Sequence, residues 1–559
     1  LRHFLKILAA VLGLALAEPA VARERPAILK TGAVASPDLY GALAARAMLR
    51  QGGNAVDAAV ATAFALAVTY PEAGNLGGGG FMTLVVDGKP YFLDYRETAP
   101  AAASAGMYLD AKGEPIPGLS LTGNLSSGVP GTVRGMAEAH RRFGRLSWAK
   151  DLAPAIHYAR EGFIVTKELV GIREGSEGPF VGATNFAGHF GGLTEGARFR
   201  QPDLAATLER ISKDGDRDFY EGRTADLLVA QMARGPIKGL ITKADLASYK
   251  AVWREPVVGG WRGFTVITAP PPSSGGIGLL QLLDMKADDA TLFQGVALNS
   301  PQYIHLVAEI EKRVFADRAE YLGDPDFVKV PVGALIDPAY LQRRAAEVDP
   351  ARPSPTASVK PGLEKPQTTH FSIIDKWGNA VSNTYTLNGW FGSGVVVEGA
   401  GFLMNDEMDD FSAKPGAPNM FGVVGSDANA IAPFKRPLSS MTPTILMRNG
   451  RVAMVIGTPG GSRIFTSVFQ VLADVYDFDM PLKAALAAPR FHHQLLPENT
   501  IFSEPYASFP SDQVKALAER GYRVEAQDFN GDIEAIEVRG DRPLPGADPR
   551  ARGVAMLAP

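Results

Sequence analysis

The sequence has 559 residues, of which 46% are hydrophobic and 21% charged, and a net charge of −4. Such a chain has ample core and length for more than one domain, while so weak a charge, with no basic stripe, predicts no nucleic-acid partner. The complete lack of cysteine excludes disulfides, thiolate catalysis and cysteine metal sites together.

At the N-terminus Arg2, His3 and Lys6 precede an apolar run from Ile7 to Ala17 and then Ala20-Val21-Ala22. This is the pattern of a secretory signal over residues 1–22, and the expected mature protein is periplasmic or secreted. The apolar run is shorter than the roughly 20 residues a membrane span needs, so no anchor is expected after signal removal. Ser36-Pro37-Asp38 predicts a helix start with Ser36 as N-cap, and Gly52-Gly53 its end. Asn54 opens a second, alanine-rich helix to about Thr69, apolar enough to be buried. Gly77 to Gly80 lack the Lys-Ser/Thr of a phosphate loop and fit close backbone packing better. A hairpin is predicted from Phe81 to Val86 and Pro90 to Arg96 around Asp87-Gly88. Helical patterns fill Gly131 to Arg234 and Ser300 to Leu322, the latter capped by Ser300-Pro301.

Five prolines between Asp349 and Gln367 mark an exposed, extended linker. It stops abruptly at Thr368, where a half-buried hairpin begins: Thr369 to Ile374, a turn, and Ala380 to Leu387. If Lys376-Trp377-Gly378 is a three-residue loop with Gly378 left-handed, Asp375 faces Asn379, Thr368 faces Thr386, and Asn388 shares that face. Further on, Asn449-Gly450 joins two strands, Pro443 to Met447 and Val452 to Ile456, and a helix follows from about Ser462 to Tyr476. Hairpins at both ends with helices between them predict an α+β fold.

A threonine hydroxyl is a weak nucleophile without a base beside it. Cutting the Gln367–Thr368 bond would supply one, an α-amino group whose pKa lies near 7.7–8.0. The turn Gly457-Thr458-Pro459-Gly460-Gly461-Ser462 ends a strand and opens a helix, which points backbone N–H groups outward and suits a developing oxyanion, although turns of this composition are common. Asn405 to Asp410 packs four acids into six residues without the spaced pattern of a calcium loop, and by itself reads as a solvated turn. Lys435-Arg436 before Ser439 and Ser440 reads likewise. His370 has no acid placed to orient it and is expected to be structural, and adjacent His492-His493 lack a second ligand pair, so neither a metal nor a cofactor is expected.

Taken together these segments resemble the γ-glutamyltransferases, N-terminal nucleophile hydrolases made by self-cleavage. The likeness runs through Asp94-Tyr95-Arg96-Glu97-Thr98-Ala99-Pro100, Val129 to Gly135, Pro271 to Gly276, Thr368-Thr369-His370, Thr386-Leu387-Asn388, Met408 to Ser412, Arg436 to Met441 and Pro459 to Arg463. The resemblance implies a four-layer αββα sandwich, with a large subunit 23–367 and a small catalytic subunit 368–559 forming one domain as a heterodimer. It implies Thr368 as nucleophile and self-processing residue, Thr386 tuning its amine, and the Gly460 and Gly461 amides as oxyanion hole. Arg96, Ser439 and Ser440 match the holders of the donor's α-carboxylate, and Asn388, Glu407 and Asp410 those of its α-ammonium. The implied partners are glutathione and other γ-glutamyl compounds as donors, with amino acids, peptides or water as acceptors. Phe421 stands where bacterial relatives often have a lid tyrosine, and it cannot donate to Asn388. Two rivals are a glutaryl or cephalosporin acylase of the same family and a non-catalytic periplasmic binder of glutamyl compounds.

Overall fold

Two antiparallel sheets lie face to face, and the alternation of side chains along their strands divides the core into three layers of apolar contact. The computed structural model describes residues 28–288, 292–356, 359, 369–414, 427–527 and 531–559. The seven-stranded sheet runs in the order Val554–Ala558, Gly32–Ser36, Thr369–Ile374, Ala380–Thr386, Gly79–Val86, Lys89–Asp94, Val252–Arg254. The six-stranded sheet runs Arg542–Ala547, Glu534–Arg539, Arg451–Gly457, Thr444–Arg448, Phe264–Thr268, Val257–Trp261. Both sheets therefore take strands from either side of position 368.

Successive residues of a strand face opposite ways. Thus Phe371, Ile373 and Val381 pack outward against the helices Leu39–Arg50, Ala55–Thr69 and Trp148–Glu161, while Ile374 and Ala380 meet Ile445, Val455 and Ile536 between the sheets. On the far side Leu446, Met454 and Ile456 bury against the helices Gly275–Asp288, Pro301–Tyr321 and Arg463–Tyr476. This is the expected αββα sandwich. Each fully buried aliphatic side chain contributes roughly 1.5–3 kcal/mol, so a charge at Ile374, between two sheets, would open both layers.

The helix from Ala55 to Thr69 is buried along its whole length, as its alanines predicted, and Asn54 and Asp57 close a capping box at its start. Ser300 caps Pro301–Tyr321 as expected. Asn449 and Gly450 both take positive φ, 52° and 73°, as a two-residue hairpin turn requires. One cap differs: Asp38, not Ser36, accepts from the Gly41 amide, and Ser36 instead ends a strand. That strand, Gly32–Ser36, and its partner Val554–Ala558 carried no alternation signal, because Gly32-Ala33-Val34-Ala35-Ser36 is small and buried on both faces.

Candidate active site

The hairpin that follows the linker has the predicted register. Pairing runs from Ile374↔Ala380 to Thr369↔Tyr385, and Gly378 closes the loop at φ 81°. Asp375 pins the turn: its carboxylate accepts from the amides of Trp377 (2.9 Å), Asn379 (3.0 Å) and Ala55 (3.0 Å). Thr368, Gln367 and the linker immediately before them lie outside the described residues. At the other end of the hairpin, the Asn75 side chain donates to the Thr386 carbonyl at 2.9 Å. A Cβ on Gly78 would stand 2.1 Å from that same carbonyl, and one on Gly77 2.2 Å from the Leu403 carbonyl, so the glycine run does serve close packing. The Thr386 hydroxyl accepts from the Asn388 amide at 2.8 Å. Asn388, at φ 77°, turns its side chain to donate to the Asp406 carbonyl at 3.0 Å.

A small apolar floor gathers the remaining motifs. Phe81, Phe92, Ala269, Met441 and Ile464 form one buried cluster. They lie respectively just after the glycine run, before Arg96, before Ser273-Ser274, after Ser440 and after Gly461. Gly457, at the end of its strand, packs against the ring of His370, where an added Cβ would meet it at 2.3 Å. The glycine turn is thus seated beside the start of Thr369–Ile374. Gly460 (φ 141°) and Gly461 (φ 56°) occupy backbone regions that side chains disfavour. Neither amide donates a hydrogen bond to another of the described residues.

The charged recess is the part of the site built by tertiary structure. Glu407–Asp410 is one turn of 3₁₀ helix, in which residues three apart eclipse, so Glu407 and Asp410 point the same way. Both pair with the guanidinium of Arg96. Arg96 Nε also donates to the Pro437 carbonyl at 3.3 Å, placing it along the loop that carries Ser439 and Ser440. Asp406 and Asp409 do other work: Asp406 accepts from the Gly389 amide at 2.8 Å, and Asp409 from the Ser120 hydroxyl. Asn405 is fully engaged, accepting from the amides of Gly128 (2.8 Å) and Glu407 (3.0 Å) and donating to the carbonyls of Gly77 and Gly128. It holds the acidic turn in place. The Arg96 and Glu407 side chains are 0% and 1% exposed and that of Asp410 14%, so the recess opens at Asp410.

Burial pushes Glu407 and Asp410 up from the ordinary carboxylate range, and Arg96 opposes that shift. Burial also works against the charge of Arg96, but Glu407, Asp410 and Glu97 outweigh it and hold the guanidinium charged. Glu97 stands 3.6 Å from Arg96 with no hydrogen-bond partner among the described residues, and burial pushes it up to about 8. The only local signal for a role of Glu97 in the recess is its place beside Arg96 in the chain, and sequence reasoning missed it.

The solvated-turn expectations fail. Glu407 and Asp409 are buried, and so are Lys435 and Arg436. Lys435 donates to the carbonyls of Ala428 and Ala430, and Arg436 to that of Lys250, because the turn is folded under its neighbours. Asn429 joins the loop to the recess by donating to the Asp410 carbonyl at 2.7 Å and accepting from the Leu438 amide at 3.0 Å. Phe421 lies outside the described residues.

The histidines are structural. His370 bridges the hydroxyls of Thr384 (2.8 Å) and Ser372 (3.0 Å), and His492 bridges the Thr466 hydroxyl and the Gln494 side chain, both at 3.0 Å. Burial holds each of these rings down at about 3. They are neutral when folded but regain a pKa near 6.5 on unfolding, so the unfolded chain binds more protons below that pH. The stability associated with each neutral ring is therefore lost as pH falls from about 6.5 toward 3. Between pH 7 and pH 5 the urea midpoint of His492→Asn is expected to fall less, or rise more, than that of the unaltered protein, because the carboxyls of Asp151 and Asp532, pushed up by burial to about 9 and about 8, act in the opposite direction in both.

An αββα frame, a glycine turn with unused amides and a buried recess of alternating charge at one end of the sheets define an acyl-transfer enzyme of the N-terminal nucleophile class. The profile described as Gamma-glutamyltranspeptidase matches residues 41–558, and the chain belongs to that family. It is 63% identical over 532 residues, 95% of each chain, to a protein of Pseudomonas aeruginosa named glutathione hydrolase proenzyme. An Escherichia coli protein of the same name is 44% identical over 538 residues, 94% of this chain and 91% of its own. Among solved structures, a cephalosporin acylase from Bacillus halodurans superposes with a TM-score of 0.82 at 27% identity, over 97% of this chain and 98% of its own.

Proposed function

We propose that the chain is the precursor of a γ-glutamyltransferase and glutathione hydrolase. It cuts its own Gln367–Thr368 bond to yield subunits 23–367 and 368–559, which stay together as a heterodimer. The interleaving of strands from both segments in each sheet supports this association, since neither part holds a whole sheet. The signal-like first 22 residues support export to the periplasm or beyond, and no helix among the described residues is long and apolar enough to cross a membrane.

The observed register, which ends at Thr369↔Tyr385, supports the expected pairing of Thr368 with Thr386. The freed amine of Thr368 takes the proton of its own hydroxyl as the oxygen attacks the donor's γ-carbonyl carbon. Gly460 and Gly461 receive the oxyanion. Collapse breaks the amide, the amine returns the proton to the departing nitrogen, and an ester of Thr368 remains. Water or an acceptor amine then attacks that ester, giving glutamate or a new γ-glutamyl amide.

The observation that carries this reading is Arg96 held between Glu407 and Asp410 beside Ser439 and Ser440. An α-amino acid head matches that alternation: its carboxylate faces Arg96 and the serines, its ammonium faces Asn388, Glu407 and Asp410. A zwitterion adds no net charge to the recess. A glutaryl group brings the same carboxylate without the ammonium, so it adds a net negative charge and leaves Glu407 and Asp410 without their cationic partner, which is costly in a buried recess. In a paired assay the γ-glutamyl anilide is expected to exceed the glutaryl anilide in kcat/KM by about a hundredfold or more. Equal rates, or preference for glutaryl, would assign the chain to the acylases, and turnover of neither by a chain that stays uncut would make it a binder.

A further inference from the structure

A second guanidinium stands behind the serine pair, on an element that none of the sequence motifs includes. Arg318 lies near the C-terminal end of the helix Pro301–Tyr321 and is 5% exposed. Its Nε donates to the Ser274 hydroxyl at 3.0 Å and one of its terminal nitrogens to the Ser440 hydroxyl at 3.2 Å. The two hydroxyls are 3.2 Å apart, and the Ser274 oxygen is also 2.8 Å from the Ser439 carbonyl, to which it donates. The Ser274 amide donates to that same carbonyl at 2.7 Å. Pro272 accepts from the Ser439 amide at 2.8 Å, so the loops 272–274 and 439–441 are stitched together under the recess.

A hydroxyl oxygen that accepts from a guanidinium turns its own hydrogen away from that cation. Ser274 directs its hydrogen to the Ser439 carbonyl. Ser440, held by the same fork, likewise turns its hydrogen away from Arg318, an orientation that suits donation to a carboxylate as well as to the Ser274 oxygen 3.2 Å away. Arg96 holds the other end of this loop through the Pro437 carbonyl. The two cations thus bracket residues 437–440, and Arg318 also lies close enough to Asp410 to oppose, after Arg96, the effect of burial on that carboxyl.

We propose that Arg318 is a positioning residue for donor selection, fixing the Ser440 hydroxyl as a donor to the α-carboxylate and adding positive potential behind it. The assignment rests on the function proposed above. It is tested with two donors, a γ-glutamyl anilide and the 4-aminobutyryl anilide that lacks only the α-carboxylate, each turned over by the self-cleaved protein. In Arg318→Gln the γ-glutamyl donor is expected to show a KM raised about ten- to hundredfold, the effect of a lost charge-assisted hydrogen bond. Its kcat should fall less than about threefold, and the 4-aminobutyryl donor should change less than about twofold. Arg318→Lys keeps the charge but not the fork and should fall between; it gives the same readout if Arg318→Gln fails to mature. Equal losses on both donors would reduce Arg318 to a packing role and overturn the assignment alone. A wild-type protein indifferent to the α-carboxylate would overturn the function reading, and the assignment with it.

Discussion

Thr368→Ala is expected to remain a single uncut chain with activity on γ-glutamyl donors reduced by about four orders of magnitude or more, the scale on which loss of a nucleophile acts. The same oxygen is assigned both reactions. In maturation it attacks the Gln367 carbonyl, the acyl group moves from nitrogen to oxygen, and water opens the ester, leaving a carboxylate on Gln367 and an amine on Thr368. Removing the oxygen stops this step, so the amine that would serve as base never forms. Thr368→Ser retains the hydroxyl and should still cut itself, more slowly, and turn over donor at a reduced rate. Denaturing mass spectrometry and a donor assay on both variants decide the matter. A cleaved or active Thr368→Ala would refute the nucleophile, whereas an uncut Thr368→Ser would place the requirement in the threonine methyl and not in its oxygen.

Arg96→Lys is the second large effect. The guanidinium engages Glu407 and Asp410 at once and also reaches the Pro437 carbonyl, and its side chain is fully buried. A lysine ammonium is a point charge without the planar fork, so it cannot satisfy both acids and a donor carboxylate together. Leaving a buried carboxylate unpaired costs about 3–5 kcal/mol, which corresponds to a loss of about two to four orders of magnitude in kcat/KM. Most of it should appear in KM, because the part of the donor proposed to lie in the recess does not react. Self-cleavage, followed by mass, is the control for folding. An unchanged KM would remove Arg96 from the binding site.

Much of the hairpin and of the glycine turn is legible in the amino-acid sequence. Turn chemistry is local: Asp375 and Gly378 specify the hairpin within a dozen residues, and the observed pairing follows them, although both strands are buried on both faces and not half-buried as expected, because the second sheet covers them. The glycine turn before the helix Arg463–Tyr476 is equally readable, since glycines that end a strand and open a helix leave amides exposed whatever surrounds them. Where the fold departs from expectation, the signal is missing from the neighbourhood. Gly32–Ser36 is a strand buried on both faces, so it shows no alternation, and the acids of 405–410 resemble a solvated turn because the cation that pairs with them, Arg96, lies more than 300 positions away while nearby Lys414 pairs with Glu114.

By itself the sequence determined the hairpin register, the caps at Asn54 and Ser300 and the glycine turn, because each depends on the conformational preferences of a few adjacent residues. The tertiary structure alone decided which charges meet. Arg96 pairs with acids 311 and 314 positions away, and Arg318 reaches a serine 122 positions away. Those encounters are set by the order of strands in two sheets and by an apolar floor of five side chains, and burial there strengthens what would be weak attractions at the surface.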